Sequence, residues 1–260
     1  MRPGRLTQLG CRPSGDRIRI GVIGAAVVVL AAAAPSGSRR VEWSLASPSV
    51  GDTSHLPLHE VAARAPRSHT MAVMLSGDGG WAAIDKELAD SLAAHGIAVV
   101  GLDSRSYFST QRDPDGASKD LAWIARHYLS QFGADSLILA GYSHGADVLP
   151  FMTDRLPADL LQRVRLVALL GAAPNANFKF HLIDLISNKK RKDDLMTVPE
   201  IETLAAAGVR VLCVYGTDES ESACPSLANV HGVTVMVMPG GHHFDKEYGV
   251  IGTHVLNAAR

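Results

Sequence analysis

The sequence predicts an α/β protein with a mostly parallel central sheet covered by helices on both faces. Three observations carry that prediction. Apolar runs of strand length alternate with helix-periodic segments along most of the chain, the pattern of β-α-β units. One of these runs empties into Gly141-Tyr142-Ser143-His144-Gly145, a Gly-x-Ser-x-Gly turn. Two later runs empty into a turn with two carboxylates and a turn with two histidines. Open α/β sheets build their sites at the C-terminal ends of strands, and three reactive groups fall there in sequence.

The elements follow in order. Met71-Ala72-Val73-Met74-Leu75 is the first core strand, and Ser76-Gly77-Asp78-Gly79-Gly80-Trp81 is the loop after it. Residues 85–95 read as a helix and residues 97–102 as a strand. Asp103, with Ser104 and Arg105, reads as a structural turn. Residues 117–132 are helical, with Leu121, Ile124, Ala125, Tyr128 and Leu129 on one stripe at helix spacing. The strand at 136–140 leads through the Ser143 turn into a helix opening at Ala146. Further strands are expected at 164–170, 209–215 and 233–238, with helices at 199–207 and 245–259. Residues 35–67 read as a linker with an edge strand around Leu56 to Ala62, and residues 68–260 as the folded domain.

Residues 171–198 are the least regular part of the body and fall where a lid is commonly inserted. Phe178, Phe180, Leu182, Ile183, Leu185 and Ile186 give that segment apolar surface. The charge run from Asn188 to Asp194 reads as a solvated turn. The sharper alternative is a contact with anionic lipid headgroups.

A chain of 260 residues with 47% hydrophobic content can bury one substantial core. A formal net charge of −1 argues against nucleic acid as a partner, since a nucleic-acid binder would present a basic face. Residues 1–34 read as a targeting segment. Arg2, Arg5, Arg12, Arg17 and Arg19 precede an uncharged run from Ile20 to Ala34 that ends in four alanines. This is the layout of a signal peptide with a mature start near Pro35, or of an uncleaved anchor. The layout implies export. Cys11 precedes the apolar run, which argues against lipid attachment. Cys213 and Cys224 would remain, and an even count in an oxidising compartment invites a disulfide between them. The alternative is one buried and one exposed thiol.

The Ser143 turn has the form of the nucleophile elbow of an α/β-hydrolase, a sharp strand-to-helix turn that lifts the serine clear of the sheet. A serine hydroxyl needs a base, and the base needs a carboxylate to hold its tautomer. In this fold the acid precedes the histidine in the chain. His242 is the expected base, because Gly241-His242-His243-Phe244 gives a Gly-His-x-Phe arrangement; His243 is the alternative. Glu219, three residues after Gly216, is the expected acid, with Asp218 the alternative and Glu221 left to solvent. An oxyanion hole would take the backbone N–H of His144 and that of Asp78, with Gly79 as the alternate. The same glycine loop lacks the lysine and spacing of a phosphate-binding loop. No metal or organic cofactor is needed; a zinc site at His242, His243 and Asp245 explains these residues less well than the hydrolase pattern does.

Beyond the elbow, three longer blocks resemble the VirJ family of bacterial virulence proteins. They are residues 76–81, 141–151 and 239–245, and the Tyr215-Gly216 turn with Cys224-Pro225 behind it is similar too. The likeness runs over roughly residues 68–258. It implies an α/β-hydrolase fold, export to the periplasm, and Ser143, His242 and Glu219 or Asp218 as the catalytic triad. The family includes hydrolases of the aminoacyl ester of lysyl-phosphatidylglycerol and has been associated with type IV secretion. An aminoacylated phospholipid at the membrane surface is therefore the implied substrate. The ammonium groups of that substrate would favour a nearby carboxylate. Asp147, one helical turn past Ser143, is the candidate substrate-binding residue, with Asp78 and Asp103 also near strand ends. A loop-bracing role is the alternative for Asp147. Two other readings stay open: a general carboxylesterase or thioesterase, and a non-catalytic module of hydrolase shape that binds a secretion-system or envelope partner.

Overall fold

The computed structural model describes residues 56–64, 66–179 and 194–260. The expected targeting segment, most of the linker and the charge run up to residue 193 lie outside the described residues. Phe180, Leu182, Ile183, Leu185 and Ile186 lie outside them as well.

Mostly apolar runs form the central strands, since a strand covered on both faces has no solvent side for polar residues, while edge strand β1 carries His59 and Glu60 and β5 carries Arg165 near its start. They are β1 (Leu58–Val61), β2 (Thr70–Leu75), β3 (Ala98–Leu102), β4 (Ser136–Tyr142) and β5 (Val164–Leu170). A short ribbon follows, β6 (Asn175–Ala176) with β7 (Leu195–Met196), then β8 (Val211–Gly216) and β9 (Val233–Met238). Seven strands form one sheet in the order β1-β3-β2-β4-β5-β8-β9. Every pair is parallel except β1 with β3. β1 thus joins the main sheet at Leu58, ahead of the boundary expected at residue 68.

The helices are α1 (Ala83–Ala94), α2 (Ser104–Tyr107), α3 (Pro114–Phe132), α4 (His144–Asp154), α5 (Ala158–Leu161), α6 (Thr197–Ala206) and α7 (Tyr248–Ala258). Alternate strand residues serve the two faces, as the period of two requires. Met71, Val73, Leu75, Leu137 and Leu139 pack with α3, α4 and α6 through Leu121, Leu149 and Leu204. Ala72, Met74, Ile138 and Ala140 pack with α1 and α7 through Leu88, Leu92, Ile251 and Val255. Helix α3 begins three residues before the expected start. Asp113 caps it by accepting the Gly116 N–H at 2.8 Å, and Pro114 at the first helical position is preset for the turn. Pro-Asp-Gly reads locally as a turn, which hid that first turn of helix.

Two links shape the sheet's C-terminal edge. Asn175 pairs with Met196 and Ala176 with Leu195, so the β6–β7 ribbon ties together the two ends of the irregular segment. Cys213 and Cys224 form a disulfide, with Cα atoms 5.5 Å apart and both residues fully buried. It closes the turn after β8 on itself across 11 residues, a loop whose closure is worth about 3 kcal/mol in the chain-entropy account.

Asp85, in the first turn of α1, is 1% exposed. Its Oδ2 accepts the Ala82 N–H at 2.9 Å, while Oδ1 has no hydrogen-bond partner among the described residues. Burial pushes its pKa up to about 6, partly offset by the Ala82 N–H. The native state therefore holds a proton that the unfolded chain releases between about pH 4 and 6, so this group lowers stability as pH rises through that window. Denaturant unfolding of the wild type and of Asp85→Asn at pH 4 to 7 measures it. The wild type should lose stability relative to the variant by on the order of 3 kcal/mol across the window. A difference independent of pH would contradict this assignment.

Candidate active site

The site is built on the turn between β4 and α4. Ser143 has φ 53° and ψ −124°, and its N–H donates to the Leu170 carbonyl at 2.8 Å. Both glycines of the motif are required by close approach. A Cβ at Gly141 would lie 2.5 Å from the Gly145 carbonyl oxygen, and one at Gly145 would lie 2.4 Å from the Leu75 carbonyl oxygen. The first turn of α4 therefore sits directly on the end of β2.

The acid turn and the histidine turn are laced together. The Thr217 N–H donates to the Met238 carbonyl at 2.8 Å and the Asp218 N–H to the Gly240 carbonyl at 2.9 Å. Gly216 has no room for a side chain, since its Cβ would meet the Gly240 and Gly241 carbonyl oxygens at 2.4 Å. Beyond His242, Phe244 is fully buried with φ 51° and anchors the turn in the core. The Tyr142 hydroxyl lies 2.9 Å from His243 Nδ1 and 3.2 Å from the His242 carbonyl oxygen, so the residue before the serine also holds this turn.

These constraints bring Ser143, His242 and Glu219 into one line. Glu219 Oε2 accepts the Gly216 N–H at 2.6 Å, which fixes the carboxylate. Its Oε1 lies 2.5 Å from His242 Nδ1, and His242 Nε2 lies 2.8 Å from Ser143 Oγ. A carboxylate only accepts, so Nδ1 carries the proton and Nε2 is left to accept from the serine hydroxyl. The Glu219 side chain is 11% exposed and that of His242 41%, so the base faces the open side of the site. Asp218 and His243 are turned away. The Asp218 side chain is exposed and accepts from the Thr217 hydroxyl, and exposed His243 reaches Tyr142. Among the described residues, no three His, Cys, Asp or Glu side chains gather as a metal site.

The glycine loop after β2 passes over the serine. Ser76 is fully buried; its N–H donates to the Leu102 carbonyl and its hydroxyl accepts the Ser104 N–H at 3.0 Å. A Cβ on Gly77 would lie 3.3 Å from Ser143 Cβ. The N–H groups of Asp78 and Gly79 follow at once, and no described residue accepts from either. His144 opens α4, with its ring Nε2 donating to the Asn177 carbonyl at 2.8 Å and packed edge-on against Phe108. Asp103 caps α2 by accepting the Ser106 N–H at 2.9 Å, a turn role. Asp147 is braced: its Oδ1 accepts the Ala173 N–H at 2.7 Å. Burial, with the negative charges of Asp78 and Glu219 nearby, raises its carboxyl well above the usual range.

Sequence reasoning missed Gly171. It follows β5 with φ 66°, and a Cβ there would lie 2.7 Å from His242 Cε1 and 3.3 Å from Glu219 Oε1. A lone glycine closing a buried strand was the available signal, and it gave no hint of what lay opposite.

A family model for the bacterial virulence protein VirJ matches residues 69–260. The chain belongs to the VirJ family. No curated protein matches it. The fold of this VirJ-family chain is shared with solved α/β-hydrolases. Est1E from Butyrivibrio proteoclasticus with bound ferulic acid superposes with a TM-score of 0.56 at 13% identity, covering 78% of this chain and 93% of that one. The esterase domain of a Rhodothermus marinus protein gives 0.55 at 13% identity, covering 79% and 92%. An alpha-beta serine hydrolase homologue from Coxiella burnetii gives 0.53 at 14%, covering 77% and 89%. At such identities the likeness is one of fold.

The geometry separates the two carboxylates of the acid turn. Glu219→Gln should slow phosphonylation of Ser143 by a fluorophosphonate by about 10²-fold or more, because the imidazole loses the partner that fixes its tautomer. Asp218→Asn, at an exposed position, should stay within about threefold. Equal losses in the two variants would contradict the arrangement.

Proposed function

We propose that this VirJ-family protein is a periplasmic serine esterase that hydrolyses the aminoacyl ester of lysyl-phosphatidylglycerol or a related aminoacylated lipid. The observation that carries the esterase reading is the unbroken Glu219–His242–Ser143 hydrogen-bond chain with its tautomer set for proton removal. The buried disulfide suits an oxidising compartment.

In this reading Ser143 Oγ attacks the ester carbonyl carbon as His242 Nε2 takes the hydroxyl proton. The developing oxyanion lies before the N–H groups of Asp78 and His144, or of Gly79, where donors at fixed positions are worth the most. The tetrahedral intermediate collapses, the C–O bond to phosphatidylglycerol breaks, and His242 returns the proton to the departing alkoxide. Water then enters, gives its proton to His242, and attacks the lysyl-enzyme. Collapse releases lysine and restores the Ser143 hydroxyl. Glu219 steadies the imidazolium in both halves without becoming protonated. No cofactor takes part.

The substrate class is supported by the charge around the serine. Asp78 stands half-buried on the loop that passes over Ser143, with the Glu219 carboxylate of the triad adding negative potential beside the serine. An ammonium-bearing acyl group fits this setting, and Asp78 is the carboxylate placed to meet it. An envelope or secretion-system protein as a further partner is supported by the family resemblance alone.

Lysyl-phosphatidylglycerol vesicles incubated with purified protein should release free lysine, and Ser143→Ala should release none while unfolding at the wild-type temperature. Lysine release by both proteins would remove Ser143 from the mechanism. Phosphonylation of Ser143 by a fluorophosphonate without lysine release would keep the esterase and discard this substrate.

A further inference from the structure

We propose that Asp147 is a positioning residue whose carboxyl, through the Ala173 N–H, holds residues 171–173 as the backstop that sets the His242 imidazole between Ser143 and Glu219. The inference rests on those three side chains being the reacting triad. It does not depend on which ester they cleave.

The segment after β5 is irregular, yet with the last residue of the strand it meets every member of the triad. The carbonyl of Leu170, at the end of β5, accepts the Ser143 N–H at 2.8 Å. Gly171, the next residue, lies against the His242 ring and the Glu219 carboxylate. A shift of residues 171–173 would therefore move the imidazole's rear wall while β5 still holds the nucleophile's backbone.

Four bonds hold the segment. The Gly171 N–H donates to the Val214 carbonyl at 2.8 Å, the Ala223 N–H donates to the Ala172 carbonyl at 2.8 Å, and the Thr197 N–H donates to the Pro174 carbonyl at 3.0 Å. These three are backbone bonds that many sequences could make. The fourth, from the Ala173 N–H to Asp147 Oδ1 at 2.7 Å, is the only one among the described residues supplied by a side chain. Asp147 sits one turn past Ser143 on the same helix. A rigid helix turn thus connects the nucleophile to the support of its base, and a single carboxyl closes the circuit. Losing that bond leaves a peptide N–H without its partner and frees the segment to move away from the ring.

The bond needs an acceptor at Oδ1, not a charge. Burial already disfavours the ionised carboxyl, and either protonation state can accept from Ala173. An asparagine amide oxygen can take the same place. That separates positioning from direct contact with a cationic substrate, which would need the carboxylate.

The test is the second-order rate of Ser143 phosphonylation by a neutral fluorophosphonate, read by intact-protein mass, together with the downfield proton resonance of His242 Nδ1–H. Asp147→Ala should slow phosphonylation by roughly 10²-fold and shift or broaden that resonance, as expected for a base displaced by a fraction of an ångström to an ångström. Asp147→Asn should recover most of the rate and the resonance. Gly171→Ala, which drives a methyl into the ring from the same side, should reproduce the alanine defect without touching Asp147. Wild-type rate in Asp147→Ala, or an Asp147→Asn as slow as Asp147→Ala, would overturn the inference. Absence of lysine release by the wild type would discard the lipid substrate and leave this test intact. Absence of Ser143 phosphonylation in the wild type would overturn the triad and this inference with it.

Discussion

Ser143 is held at φ 53° and ψ −124°, a conformation that an L residue keeps only when its surroundings impose it, at a cost of about 1–3 kcal/mol. Much of the surrounding structure is that imposition. The fully buried strand β4 drives the chain into the turn, and α4 pulls it out with its first turn seated on the end of β2. Gly141 and Gly145 permit contacts that any side chain would block. The Leu170 carbonyl fixes the serine N–H from the neighbouring strand. A serine held this way cannot turn its hydroxyl into the sheet, so its side chain meets whatever the neighbouring strand ends present.

What they present is set by packing as much as by chemistry. The acid turn after β8 and the histidine turn after β9 exchange backbone hydrogen bonds, and Gly216 lets their backbones touch. The disulfide closes the acid turn from below, and buried Phe244 anchors the histidine turn from the other side. Glu219 is then the carboxylate that can fold back onto its own turn and still reach the imidazole. Asp218, one residue earlier, has its N–H committed to Gly240 and its side chain in solvent.

The fold was legible because central strands buried on both faces must be apolar, so β2, β3, β4 and β8 read as near-continuous runs and β5 departs only at Arg165; the two-residue strands β6 and β7 are too short to carry such a pattern. The elbow was legible because its glycines are sterically compelled. The order of the site residues followed from the strand ends they occupy. The choice between Glu219 and Asp218 was a matter of offset in the sequence; in the structure it is a matter of which side chain the turn points inward. Gly171 and the Asp147–Ala173 bond were not legible. Both join residues far apart in the chain, and local pattern carries no information about what a glycine or a carboxyl will face. The start of α3 was missed for the opposite reason, since Pro-Asp-Gly has a strong local meaning that the Asp113 cap overrides.

In the proposed function Ser143, His242 and Glu219 act as one nucleophilic unit. Exposing the full-length protein and its His242→Ala variant to a fluorophosphonate, then mapping the modified residue by peptide mass, tests it directly. Attack by Ser143 Oγ on phosphorus with loss of fluoride predicts one adduct, on Ser143, that forms in the wild type and not in the variant. No adduct, an adduct on another residue, or equal labelling without the histidine would contradict it.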